Sequence, residues 1–157
     1  MGDLLVKLYD LPAVDPEATS GVSIQRPLAA DRRRVVNWVA ERFPDRWASE
    51  VEIAFSGHPL TCFIALGEEG KLLGFSCYDT SFKGFFGPTG VDENARGKGI
   101  GTALLIRTLH AMRESGYAYG VIGYSGADEY YRKTVGAIPI HDSEPGAYRG
   151  WVAERQG

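Results

Sequence analysis

The sequence has few of the features that would place a chain at once. Its 157 residues include only two cysteines, Cys62 and Cys77. Each stands alone in an apolar stretch without metal-ligand spacing, which argues against a disulfide framework or a zinc site and points to two buried reduced thiols. Positive charge is not in excess: the net charge of -3 provides no basic face, so nucleic acid is not expected as a partner. No apolar run approaches membrane-spanning length, and the first residues lack a signal-peptide pattern, so the expected location is the cytoplasm, without membrane association. Repeats and low-complexity tracts are missing too. What remains is 44% hydrophobic and 24% charged residues, the balance of a single globular domain with a proper core.

Hydrophobic spacing predicts the elements in turn. Residues 3–11 alternate weakly and stop at Pro12. With the loop that follows, residues 1–21 read as an extension, and the main domain is expected over 22–157. A short strand covers 22–26. Pro27 closes it and opens a helix carrying Leu28, Val35, Val36, Val39 and Phe43. A second helix covers 45–56, with Trp47, Val51, Ala54 and Phe55 on one side, and Gly57 and Pro59 stop it. Strands at 61–66 and 71–78 flank Gly67-Glu68-Glu69-Gly70, a hairpin signal. The next strand, 84–91, contains Gly87-Pro88 and Gly90; a bulge reconciles this proline with a strand. A long helix over 100–115 is followed by a strand at 117–122, a short helix at 128–134 and a strand at 137–140, with a last strand expected at 148–153. This order is a mixed α/β layout.

Between the strand ending at Val91 and the long helix lies Arg96-Gly97-Lys98-Gly99-Ile100-Gly101, followed by Thr102. A glycine-rich turn feeding a helix presents unpaired N–H groups at the positive end of the helix dipole, an anion cradle. The glycines allow close approach of a bulky phosphate, while Arg96 and Lys98 add charge. It is not a P-loop, because Lys98 is followed by Gly99 where Ser or Thr is required. Nor is it a dinucleotide fingerprint, since Gly97, Gly99 and Gly101 have the wrong phase and no acid stands at 116–120.

The pattern Arg-x-x-Gly-x-Gly, filled by Arg96, Gly99 and Gly101, resembles the pyrophosphate loop of the GNAT superfamily, the acyl-CoA-dependent N-acyltransferases. The order of elements over roughly 22–153 is similar to that fold as well. The resemblance implies a mixed sheet of six to seven strands flanked by helices, with two central strands splayed apart. It also implies acetyl-CoA as co-substrate, without a metal. The diphosphate would lie on Arg96, Gly97, Lys98, Gly99, Ile100, Gly101 and Thr102, and the backbone near Val91 would hydrogen-bond the pantetheine arm. The family's proline in Val-x-Pro-x-x-Arg is absent from Val91-Asp92-Glu93-Asn94-Ala95-Arg96.

A second likeness is Tyr130-Tyr131-Arg132-Lys133-Thr134-Val135-Gly136. Family members place a tyrosine here that protonates the departing thiolate, a task suited to a phenol that is neutral at pH 7. Tyr131 takes the matching position. One extra residue before Gly136 shifts the phase, which leaves Tyr130 as the alternative. Tyr124 stands where many members have an asparagine, either lining the cofactor tunnel or facing the acceptor. No acid occupies 85–90, where the family's general base often lies. The acids and histidine nearby in sequence are Asp79, Glu50, Glu52, His141, Asp142 and Glu144, each read as a solvated surface group.

The implied activity is acetyl transfer from acetyl-CoA to a primary amine, by direct attack in a ternary complex, with a small molecule or peptide as acceptor. The missing base keeps a second class open, a non-catalytic acyl-CoA-binding module or sensor, with a different nucleotide phosphate binder ranked last. The edges of the terminal strands allow a homodimer.

Overall fold

A computed structural model describes residues 2–17 and 19–153. Seven strands form one sheet in the order β2-β3-β4-β5-β6-β1-β7. These are β1 (Leu4–Lys7), β2 (Ser23–Gln25), β3 (Cys62–Leu66), β4 (Leu72–Tyr78), β5 (Phe85–Val91), β6 (Tyr119–Ile122) and β7 (Ile138–Pro139). The helices are α1 (Arg32–Arg42), α2 (Asp45–Ala54), α3 (Ile100–Glu114) and α4 (Asp128–Val135). Neighbouring strands are antiparallel except β5 and β6, which run parallel.

Strand alternation separates two cores. Cys62 and Ile64 of β3, with Phe75 and Cys77 of β4, face the helices α1 and α2, packing with Val35, Val39, Val51 and Ala54. Phe63 and Ala65 point the other way, into the cluster built on Leu104, Leu105, Leu109 and Met112 of α3. Strands buried on both faces read as unbroken apolar runs, which is why 61–66 and 71–78 lack a polar alternation. The α3 side holds one buried polar pair, Ser76 Oγ and Thr108 Oγ1 at 2.5 Å. Cys62 and Cys77 are opposite each other in register, buried and not joined by a disulfide.

Three expectations change. Residues 1–21, read as an extension, supply β1 between β6 and β7, and bury Leu4, Val6 and Leu8 in the α3-side core. Residues 148–153, expected as a last strand, lie outside the sheet. The edge of β6 away from β5 is already paired with β1, so a C-terminal strand has no place there. The helix expected from Pro27 opens as a 3-10 turn at Ala29–Asp31, and α1 proper begins at Arg32. No helix among the described residues is long and apolar enough to cross a membrane.

The bulge expected near Gly87-Pro88 is present. Pairing steps from Ser76↔Thr89 to Tyr78↔Phe86, so β5 carries one more residue than β4 across this span. On its other side β5 meets β6 only at Phe85↔Val121 and Phe86↔Ile122. From Gly87 to Val91 the strand has no strand partner on that side among the described residues, and the sheet opens.

Candidate active site

The opening between β5 and β6 is flanked by two hollows. One, of about 620 Å³, runs from Val91 and Arg96 past Gly97, Gly99 and Gly101 to Tyr130. The other, of about 670 Å³, lies between α2, the segment after β6 and residues 148–153. Trp47, Thr89 and Tyr131 line both. The two hollows therefore share a wall at the middle of β5.

The first hollow takes its character from backbone. Gly97 and Gly99 adopt positive φ of 80° and 79°, a conformation that costs other residues about 1–2 kcal/mol. This turns the chain so that α3 starts at Ile100 with Gly99 as its cap; Ala103 N–H is the first to bond back, to Gly99 O at 3.0 Å. The N–H groups of 97–102 make no hydrogen bond among the described residues. Partnerless N–H groups at a helix N-terminus are the geometry that an anion cradle requires. Arg96 Nε donates to Val91 O at 3.2 Å, which ties the loop to the end of β5 and leaves the rest of its guanidinium exposed. Thr102 Oγ1 and the Tyr130 hydroxyl are hydrogen-bonded at 2.6 Å.

Strand pairing decides which β5 groups face the gap. Asp92 N–H bonds to Leu73 O at 2.8 Å, so Gly90, two residues back, also turns its polar groups to β4. By alternation Thr89 and Val91 turn theirs to the open side. Val91 O takes Arg96; the N–H groups of Thr89 and Val91 have no partner among the described residues.

Tyr131, on α4, packs edge-on against Phe86 with ring centroids 6.4 Å apart and against Tyr130 at 5.2 Å. Burial, and secondarily the neighbouring Tyr130, push its phenol up to about 12. Of the two tyrosines, Tyr131 reaches both hollows, while Tyr130 lines only the first and is held by Thr102.

The second hollow contains one of the acids expected as solvated surface groups. Glu50 lines it from α2, three residues beyond Trp47. Its carboxyl is pushed up by burial, partly offset by a hydrogen bond from Thr80 Oγ1 to Glu50 Oε1 at 3.3 Å. Thr80 Oγ1 also lies 3.2 Å from Gly87 O, in the bulge of β5. Thr80 thus faces both the Glu50 carboxyl and the Gly87 carbonyl and ties α2 to the bulge. The signal available in sequence was the i+3 spacing from Trp47, which puts Glu50 at the edge of the apolar face of α2.

The other acids lie elsewhere. Asp79 is spent on the β4–β5 turn, accepting from Gly84 N–H at 2.7 Å and Tyr117 OH at 2.9 Å. Glu52 faces the arginines 32–34 on the far side of α2. His141, Asp142 and Glu144 do not line either hollow. Tyr124 lines the second hollow, not the first. Among the phenylalanines at 82–86, Phe86 lines the second hollow, whereas Phe82 and Phe85 pack on Tyr148.

Residues 148–153 close this hollow from outside. Arg46 Nη2 donates to Val152 O at 2.8 Å, its guanidinium lies 4.3 Å from the Trp151 ring centre, and Trp151 stacks on Tyr148 at 5.7 Å with planes 5° apart.

Solved structures with the same fold include a GCN5-related N-acetyltransferase from Sphaerobacter thermophilus, with a TM-score of 0.71 and 24% identity over 88% of this chain and 48% of that one. A GCN5-related N-acetyltransferase from Kribbella flavida gives 0.64 and 20%, over 88% and 53%. A GNAT family acetyltransferase from Brucella melitensis, solved in complex with acetyl-CoA, gives 0.55 and 24%, over 71% and 80%. The chain thus spans about half the length of the first two. Among curated proteins no sequence relative matches. The sequence model described as the acetyltransferase (GNAT) family matches residues 32–137, from the start of α1 to the end of α4 and so across the whole of β5, the glycine turn and Tyr131. With more than half of its length inside that match, the chain belongs to the GNAT acetyltransferase family.

Proposed function

We propose that this chain is an N-acetyltransferase that moves an acetyl group from acetyl-CoA to a primary amine by direct attack in a ternary complex. The observation that carries the reading is the meeting of the two hollows at Thr89 and Tyr131. A co-substrate held along one side and an acceptor held on the other come together only there.

The donor set fits acetyl-CoA. Free N–H groups at 97–102, with Arg96 and Lys98 beside them, suit a diphosphate. The open edge of β5 at Val91 suits the amide groups of a pantetheine arm, which would add to it as a short strand does. That puts the thioester near Thr89, whose N–H can donate to the carbonyl oxygen as it gains charge.

The chemistry follows from these positions. The amine nitrogen bonds to the acetyl carbon, the carbon–sulfur bond breaks, and sulfur leaves with the electron pair. Tyr131 gives the sulfur its proton. A phenol at about 12 is a weaker acid than a thiol of ordinary pKa near 8.5, so this transfer alone is uphill. The balance is restored when the nitrogen, positive after attack, passes its proton to the tyrosinate. Holding the two reactants in line supplies much of the remaining rate.

Titration calorimetry of the purified protein with acetyl-CoA, with ATP and NAD as controls, tests the reading. Binding of acetyl-CoA alone, followed by amine-dependent release of free thiol, is the expected result. Binding without thiol release for any amine marks a non-catalytic acyl-CoA module, and no binding ends the acyl-CoA reading.

A further inference from the structure

The second hollow has a composition that narrows the acceptor. Its described lining contains two charged residues, Glu50 and Arg46, among rings and small groups. Arg46 is already engaged, giving a hydrogen bond to Val152 O and lying over the Trp151 ring. Glu50 Oε1 takes Thr80, while Oε2 has no hydrogen bond among the described residues. The site therefore presents a carboxylate oxygen without a hydrogen-bond partner among the described residues, beside the rings of Trp47, Tyr148 and Trp151, the last two stacked on each other.

We propose that the acceptor is a primary amine with one positive charge and a flat apolar body, its ammonium held by Glu50 and its body lying among Trp47, Tyr148 and Trp151. This rests on the acetyl-transfer reading above and specifies its second substrate. Both parts of the site are needed for that recognition. A carboxylate alone accepts any cation, and rings alone accept any apolar molecule. Together they favour a molecule that joins the two within one short span. Cations also sit well over indole and phenol faces, so the rings assist the charge as well as the body.

The alternatives meet specific obstacles. A polyamine or aminoglycoside would leave its further charges against Trp47, Tyr148 and Trp151, with no second carboxylate in the described lining to pair them. An amino acid would bring its own carboxylate beside Glu50, where like charges repel. Arg46, the one cation of the described lining, keeps its charge and lies against residues 151–152 through one hydrogen bond and a ring contact, so phenylalanine is the direct test of this exclusion.

Glu50 also accounts for the base that the sequence did not reveal. An ammonium is not a nucleophile, so one N–H proton must leave before the nitrogen closes on the acetyl carbon. That proton passes to Glu50 Oε2, and from there to solvent as product leaves. Thr80 keeps its hydrogen bond to Oε1, which leaves Oε2 as the atom that takes the proton. Burial raises the Glu50 carboxyl, which narrows its gap to the amine.

The test uses the full chain. Acetyl-CoA affinity is measured first by calorimetry. Thiol release is then followed with 2-phenylethylamine, spermidine, kanamycin and phenylalanine as acceptors. The expected result is a kcat/KM for 2-phenylethylamine at least about tenfold above the other three. Glu50→Gln should raise KM for 2-phenylethylamine and lower kcat while acetyl-CoA affinity stays unchanged. Trp151→Ala, at an exposed ring, should raise KM alone. Spermidine, kanamycin or phenylalanine as the best acceptor would overturn the assignment, as would equal rates for all four. Acetyl-CoA binding with no thiol release from 2-phenylethylamine also overturns it. Failure to bind acetyl-CoA at all would remove the acetyl-transfer reading itself and this inference with it.

Discussion

Asp3 and Ala147 stand at opposite ends of the chain and are hydrogen-bonded, the Ala147 N–H donating to Asp3 Oδ2 at 2.9 Å. Asp3 N–H in turn donates to Ser143 Oγ at 2.9 Å, and Ser143 Oγ donates to Ile140 O at 2.7 Å. The residue just ahead of β1 thus fastens the turn that leads into residues 148–153, the outer wall of the second hollow. Arg46 fastens the far end of the same segment. The wall depends on both anchors.

Asp3→Ala should loosen that wall. The lost hydrogen bond to a charged group is worth about 1.5–3 kcal/mol, reduced because Asp3 Oδ1 is buried without a partner. The thermal midpoint should fall by a few degrees and KM for the amine should rise. Acetyl-CoA affinity, read by calorimetry, should stay unchanged, since residues 148–153 do not line the first hollow.

Gly123→Ala probes the same wall from inside. A Cβ at Gly123 would collide with the Tyr148 ring, which stacks on Trp151. Overpacking of this kind costs about 1–3 kcal/mol. The expected signature is again a higher KM for amine with acetyl-CoA affinity retained, and faster proteolysis at Arg149. Loss of acetyl-CoA binding would show instead that the two hollows are not separable.

Legibility in the sequence followed locality. The glycine turn and α3 were readable because the turn glycines and the helical spacing lie within twenty residues of each other. The β5 bulge was readable from Pro88, which cannot donate to a ladder. β1 was not, because four residues of weak alternation gain their meaning only from pairing with β6 and β7 more than a hundred residues later. Residues 148–153 carry rings like a strand, yet the edge they would need is filled by β1. Glu50 looked like a surface acid for the same reason. Its burial comes in part from the wall formed by 148–153, which no local pattern announces.

Arg96→Ala should weaken acetyl-CoA binding by about tenfold to a hundredfold, the range for one or two charge-assisted hydrogen bonds to a phosphate. Since Arg96 also ties the loop to Val91 O, Arg96→Lys should recover only part of the loss. Affinity of the unmodified protein should fall with rising salt, because the cradle is exposed. An unchanged dissociation constant in Arg96→Ala would remove this residue from the diphosphate site.

Tyr131→Phe should lower kcat by about a hundredfold to ten-thousandfold, the range for a positioned acid, with little change in acetyl-CoA affinity. Tyr130→Phe should do less to kcat, since its hydroxyl is held by Thr102 beside the glycine turn. With the Tyr131 phenol pushed up to about 12, the phenol stays protonated through pH 10. Single-turnover rates at saturating amine should therefore show no alkaline decline below that pH in the native protein. A decline near pH 9 would identify a different acid.

Glu50 gives the chain a pH dependence of unusual sign. Most paired carboxylates are held below their ordinary value and stabilise the fold as pH rises. Burial does the opposite to Glu50, whose folded value lies above the ordinary 4.5. Between those two values the folded protein keeps a proton that the unfolded chain has released, so stability falls as pH rises across the window. Below 4.5 both forms are protonated and the penalty is absent; above the folded value it is complete. The groups around it, Thr80, Cys77 and Tyr148, carry no positive charge, and Arg46 is turned to Val152 and Trp151. Glu50→Gln removes the titrating group while keeping the shape. It should therefore match the native protein in urea midpoint near pH 4 and exceed it at pH 7.5. A Gln variant less stable than native at pH 7.5 would mean that the ionised carboxylate is compensated in the folded state, and the proton-accepting role assigned to Glu50 would lose its physical basis.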